Sequence, residues 1–326
     1  MASLPAMSRG ERGGSRFRRP ILWSRGQGCA ELAGLLGEAG AVRLAGDRAQ
    51  ACVAQRAEVL VTRRLPGRFD LVSVVVPVDF DADAVDVVVA AVAEGPHSTF
   101  AACVAGRLAE ALGVDAEMVS AHPDAGGRAA AEASLVRLAG ILPEMTGRTI
   151  SAASMRALVA QLPARALLVF GAPGGSWFQR AIFGRGAQLR HAARAGAVVV
   201  RDAPPRVFQH LDSDDAAYVA PQRTAADVLL THGEGTLAVV DGGRLVGLVR
   251  RPRLEAAAPG TRVADLTEPV RGLRLDEPLG AAARLQPTFG TDPMPVVDRY
   301  ARFAGSLRVD GTAASIPPPL TARAGD

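Results

Sequence analysis

The chain has 326 residues and a formal net charge of +4; 48% of its residues are hydrophobic, 4% aromatic and 21% charged. That apolar fraction excludes wholesale disorder, and at roughly 150 residues per domain the length predicts two or three domains. No apolar run approaches the roughly 18 residues that cross a bilayer; the longest, such as 87–93, are strand-sized.

All 37 basic residues are arginine, and the chain has neither lysine nor asparagine. Both gaps, with the excess of Ala and Arg, carry the mark of GC-rich coding and imply no nucleic-acid function. They exclude a lysine Schiff base, a Walker A lysine and N-x-[ST] glycosylation. Few aromatics and no interleaving of aromatics with Arg argue against single-strand nucleic-acid binding. Cys29, Cys52 and Cys103 are far apart and form no C-x-x-C. Neither a disulfide framework nor a zinc site is expected, and a reducing, cytoplasmic compartment fits.

In chain order, residues 1–19 read as a disordered basic tail, with Arg9, Arg12, Arg16, Arg18 and Arg19 against Glu11 alone. Residues 20–83 alternate short strands (21–23, 41–44, 59–62, 71–78) with helices (30–38, 48–56), a small α/β unit. Residues 84–204 repeat that alternation at fuller length. Strands are expected at 86–93, 114–121, 148–151, 166–170 and 197–200, and helices at 100–112, 127–142, 154–162 and 178–195. The strand expected at 86–93 is uninterruptedly apolar and Val-rich after Asp86, which suits a strand buried on both faces. The fold class is thus α/β, a doubly wound five-stranded parallel sheet, whose ligands sit beyond the carboxyl ends of the strands. Residues 201–217 read as a linker or as the first element of the next domain. From 218 a different grammar begins: helix 224–231, strands 237–241 and 244–249, and helix 252–257. It returns as helix 276–285 and strands 295–298 and 303–309, an internal repeat of roughly 55 residues. The C-terminal α+β region spans 205–311, and 312–326, with Pro317-Pro318-Pro319, reads as a disordered tail.

The strongest local motif follows the fourth strand of the sheet: Gly171-Ala172-Pro173-Gly174 and, nine residues on, Gly184-Arg185-Gly186. Glycines there let backbone N–H groups approach a phosphate beside a helix N-terminus; the same glycines also occur for sterics alone. With the five-strand order, this G-x2-G-x9-G pattern resembles the universal stress protein family. The resemblance implies that Gly171, Gly174 and Gly184 face the phosphates of an adenine nucleotide, ATP or AMP. Arg185 stands where the family has Ser or Thr, and Glu94 stands in the loop where it has Asp. Arg185 either pairs with phosphate or fills the pocket; both outcomes stay open at this point.

The strings Leu237 to Val249 and Pro295-Val296-Val297-Asp298…Gly305-Ser306-Leu307 look like a pair of CBS motifs. That resemblance implies a compact sandwich with a cleft for adenosyl ligands between its halves. Nucleotide-binding members carry Thr or Ser three residues after the motif Gly and Asp six after it. Here Gly247 is followed by Arg250 and Arg253, and Gly305 by Arg308 and Gly311. The run Arg250, Arg251 and Arg253 reads either as an anion site or as a solvated face.

Other candidates are weaker. Asp79-x-Asp81-x-Asp83 lacks the Gly and Glu of a calcium loop, and Gly26-x-Gly28 lacks the rest of a dinucleotide fingerprint. The five histidines show no ligand spacing; His97, in the loop after the first long strand, reads as a cap or surface residue. No nucleophile has a neighbouring base. The expectation is a cytoplasmic, non-catalytic, nucleotide-responsive regulatory protein, homodimeric, with a protein partner such as a transporter, no nucleic acid and no membrane insertion. The alternative is a structural or dimerising module that binds no ligand.

Overall fold

The computed structural model describes residues 17–67, 69–172, 195–211, 218–233, 235–290 and 292–308. The chain divides into two compact units, Met1–Ala203 and Pro204–Asp326.

In the first unit the described elements are β1 (Ile21–Trp23), α1 (Cys29–Leu36), β2 (Ala41–Arg43), α2 (Arg48–Ala54), β3 (Val59–Val61), β4 (Ser73–Val78), β5 (Val87–Ala91), α3 (Pro96–Leu112), β6 (Asp115–His122), α4 (Ala125–Ala139), β7 (Thr146–Ser151), α5 (Met155–Val159), β8 (Ala166–Gly171) and β9 (Ala197–Arg201). Local chemistry sets the helix ends. Asp47 and Asp124 each accept a backbone N–H three residues on, from Gln50 and Gly127, at 2.9 Å, as N-cap residues do. Helix α3 begins on Pro96 and stops at Gly113 in the left-handed region (φ 68°), the usual division between proline and glycine at helix ends.

These strands form one nine-stranded sheet in the order β2-β1-β3-β4-β9-β8-β5-β6-β7. The five strands expected over 84–204 are present and mutually parallel. Residues 20–83, read in the sequence as a small α/β unit too short to stand alone, join that run edge to edge: β4 pairs antiparallel with β9, from Val74↔Arg201 to Val78↔Ala197, so they extend the same sheet. The reason is that sixty-odd residues bury too little apolar surface alone, and β9 offers them an edge.

The two halves are wound alike. From β9 onward the order is fifth, fourth, first, second, third of its own half; the N-terminal half reads second, first, third, fourth. Omitting β7 makes the two orders the same. The last strand of each half meets the other antiparallel, as a local two-fold axis requires, and α1 and α3, which follow the two first strands, share one core face.

Strand alternation divides the core. Val75, Val88, Ala90, Leu167, Val169, Val198 and Val200 face the α1, α3 and α4 side with Phe100, Leu108 and Leu138. Val74, Val76, Val89, Ala91, Leu168, Phe170 and Val199 face the other side with Leu158.

The second unit contains β10 (Tyr218–Val219), α6 (Ala225–Thr231), β11 (Thr236–Asp241), β12 (Arg244–Arg250), α7 (Arg251–Ala256), α8 (Val263–Leu266), β13 (Leu273–Arg274), α9 (Gly280–Phe289), β14 (Met294–Val297) and β15 (Phe303–Leu307). The repeat read in the sequence is a repeat of topology. Each three-stranded sheet, β10-β11-β12 and β13-β14-β15, pairs its first two strands parallel and its last two antiparallel. Even the bulges correspond, at Val239/Val240 and Val296/Val297.

Of the two readings of 201–217, linker or first element, the described residues up to Leu211 fit the second. Val207 and Phe208 N–H donate to Glu277 and Leu275 O of the second repeat, each at 3.0 Å, while Val263 N–H donates to Arg223 O of the first at 2.9 Å. Each repeat is completed by the segment that leads into the other. The helix expected over 276–285 lies later, at Gly280–Phe289, because Asp276 pairs with Arg274 and Pro278 bridges to Arg206.

Candidate functional site

Two places come from the sequence reading. The first is the mouth of the nine-stranded sheet, where β5 has β8 on one side and β6 on the other, the switch point at which such sheets bind ligands. Gly171 ends β8 there and is buried, and Glu94 is exposed in the loop after β5. Gly174, Gly184 and Arg185 lie outside the described residues, as does the helix expected over 178–195 apart from Ala195. The close neighbour of Gly171 is protein: a Cβ on it would stand 2.7 Å from His97 Cβ. His97 is half-buried, not the cap or surface group expected, and its Nδ1 accepts the Asp202 N–H at 3.1 Å. Asp202 Oδ1 in turn accepts from Ser73 Oγ (3.0 Å), and Ser73 Oγ accepts from Ala203 N–H (3.1 Å). This chain of bonds ties helix α3 to the ends of β4 and β9. Burial lowers the His97 pKa from its ordinary 6.5; Asp202 opposes and Arg201 adds to that shift, so the imidazole is held neutral.

The second place is the junction of the two repeats in the C-terminal unit. Strand β12 ends on Arg250. Its Nη1 is 2.6 Å from Glu268 Oε2, in the segment between α8 and β13, and its Nε is 3.6 Å from Asp292 Oδ2, before β14. Asp292 Oδ2 also accepts from Thr236 Oγ1 at 2.6 Å, at the start of β11. Arg253 on α7 reaches Glu268 Oε1 at 3.4 Å and the Leu266 carbonyl at 3.3 Å. One cluster therefore joins both repeats and the segment between them. Gly247 lets it form: the 267–268 backbone crosses β12 at that point, bonded Leu248 to Glu268 in both directions, and a Cβ there would meet Glu268 O and, at 2.6 Å, Thr267 Cγ2.

The arginine run does not act as one patch. Arg251 turns away, to Glu255 (2.7 Å) and the carbonyls of His232 and Gly233. Arg250 and Arg253 stand where the CBS-like pattern has Thr or Ser and Asp, and here they are ion-paired. Glu268, Asp292 and Thr236 carried no local signal, since their positions relative to Arg250 follow only from how the repeats meet. Among the described residues no group of three or more His, Cys, Asp or Glu side chains is placed to hold a metal. No described helix is long and apolar enough to cross a membrane.

No protein-family model matches the chain, and no curated protein matches it. Among solved structures it is similar to the cytosolic domain of the Mg2+ channel MgtE in complex with ATP: 28% identity over 33% of this chain and 48% of that one, TM-score 0.31. The chain thus spans about half the length of that structure. It is also similar to a CBS domain pair/ACT domain protein from Thermotoga maritima (19% identity, 32% and 89% of the two chains, TM-score 0.30). A third is the CBS-pair protein CBSX2 from Arabidopsis thaliana (24%, 32% and 87%, TM-score 0.28).

Proposed function

We propose that this chain is a non-catalytic regulatory protein whose C-terminal unit responds to an adenine nucleotide at the Arg250–Arg253 cluster. The observation that carries the reading is the cluster itself, drawn from both repeats and from the segment between them. A phosphate has two or three charged oxygens and suits guanidinium groups. On arrival it competes with Glu268 and Asp292 for Arg250. Those pairs are about a third exposed, so each contributes only ~0–1 kcal/mol, and exchanging them for phosphate costs little. Releasing both carboxylates loosens the tie between the repeats, and a partner that distinguishes tied from loosened states reads the nucleotide. The cytoplasmic setting, self-association as a homodimer and a transporter among possible partners belong to the same proposal.

We favour this place over the Gly171, Gly174, Gly184, Arg185 and Glu94 set because the cluster is described whole, whereas of that set only Gly171 and Glu94 are described and His97 lies against Gly171. Calorimetry with ATP, ADP and AMP tests the placement. Arg250→Ala should abolish binding, and Glu268→Gln should strengthen it several-fold by removing the competitor. Equal affinities in wild type and both variants overturn it.

One observation favours a second reading. Arg250 and Arg253 face Glu268 and Asp292, a set already neutral without ligand. In that reading the cluster is a structural latch in a ligand-free module. Then no nucleotide binds at millimolar concentration, and Arg250→Ala lowers stability with no other effect.

A further inference from the structure

The two β-hairpins of the C-terminal unit end in basic tips, Gly242-Gly243-Arg244 and Arg299-Tyr300-Ala301-Arg302. The structure brings these tips together. Arg244 and Arg302 form an antiparallel bridge, Phe303 N–H donates to Gly243 O at 2.9 Å, and Leu245 N–H donates to Ala301 O at 3.4 Å. Between the tips lies an open groove of about 650 Å³, lined by Gly242, Arg244, Arg299, Tyr300, Ala301 and Arg302.

Three guanidinium groups line one groove, and the two nearby acids each accept from a neutral donor. Asp298 Oδ1 accepts the Tyr300 and Arg302 backbone N–H groups at 2.7 and 2.9 Å. Asp241 Oδ1 accepts from Gln222 Nε2 at 3.3 Å. Among the described residues no carboxylate forms an ion pair with Arg244, Arg299 or Arg302, whereas Arg250, Arg251, Arg253, Arg271 and Arg274 of the same unit are all paired. The Arg299 guanidinium lies 4.8 Å from the centre of the Tyr300 ring, a cation–π contact that holds it in place. Gly242 and Gly243 put no side chain into the opening, and nothing lies within 4 Å of where one would be.

We propose that the joined tips form a binding site for a polyphosphate group, separate from the Arg250 cluster. Like charges side by side repel and attract a counter-anion. Three planar forks match the oxygens of two or three linked phosphates, whereas a lone carboxylate leaves forks unmatched. A free polyphosphate and a bisphosphorylated lipid headgroup present this chemistry alike.

The test uses the full chain. Inorganic tripolyphosphate is titrated calorimetrically into wild type, Arg244→Gln and the Arg299→Gln/Arg302→Gln double variant. Arg271→Gln, another exposed arginine of this unit, controls for net charge, and circular dichroism controls for folding. Each hairpin arginine removed should weaken binding about tenfold, and Arg271→Gln should leave it unchanged. A parallel arm sediments the proteins with phosphatidylcholine vesicles, with or without phosphatidylinositol bisphosphate. Tripolyphosphate binding lost in the double variant supports the site with a free polyphosphate as source. Sedimentation that needs the bisphosphate lipid and is lost in the double variant supports it with a headgroup as source. No binding in either arm, binding untouched by the double variant, or equal weakening by Arg271→Gln overturns the proposal.

Discussion

Gly171 and His97 occupy the same small space, and each explains the other. With 2.7 Å between an added Cβ and His97 Cβ, Gly171→Ala is expected to cost about 1–3 kcal/mol, the usual effect of overpacking. A urea midpoint equal to wild type would show that His97 does not sit there. The imidazole carries a pH signature. Because its folded pKa lies below the ordinary 6.5, the unfolded chain binds more protons in that range. Its contribution to stability is then full above about pH 6.5 and is lost as pH falls through the folded value. His97→Asn, which keeps an acceptor for Asp202 N–H, should flatten the fall in stability between wild-type measurements at pH 7 and pH 5; an unchanged slope means another group sets it. Burial likewise pushes the Cys52 thiol up to about 12, so Cys52 should not react with a thiol reagent until the protein unfolds.

At the scale of elements, the described strands and the long helices α3 and α4 were legible because buried β-branched runs and 3.6-residue spacing are local signals. Several boundaries moved by a few residues where a side chain outside the pattern decided them. The helix expected from 127 starts at Ala125 because Asp124 caps it, and Asp276 and Pro278 are spent on contacts that delay α9 to Gly280. Gly247 belongs to this scale too. The sequence marked it as a motif glycine, but its physical cause is the crossing segment at 267–268. Gly247→Ala should therefore destabilise the C-terminal unit by about 1–3 kcal/mol and weaken the Arg250–Glu268 pair with it. Thermal unfolding followed by circular dichroism reads the loss; a wild-type melting curve would mean the crossing segment yields freely.

Across the first unit, the decisive pairing is β4 against β9, last strand to last strand. Removing residues 1–83 would bare the β9 edge and the face of α3 on which α1 packs. Exposed strand edges recruit other chains, so the 84–203 fragment is expected to associate or aggregate. A stable monomer in sedimentation, with the melting temperature of the intact unit, would mean the first half is dispensable.

Among the described residues, short-range spacing that burial enforces was enough to read the kind of the main strands and helices, the parallel five-strand run, and the repeat after residue 217. It could not reveal that the first sixty residues of folded chain extend the same sheet, or that Glu268 and Asp292 meet Arg250. Nor could it reveal that Arg244 faces Arg302. Those facts depend on which edges and tips meet after folding, and partners tens of residues apart leave no periodic trace in the chain.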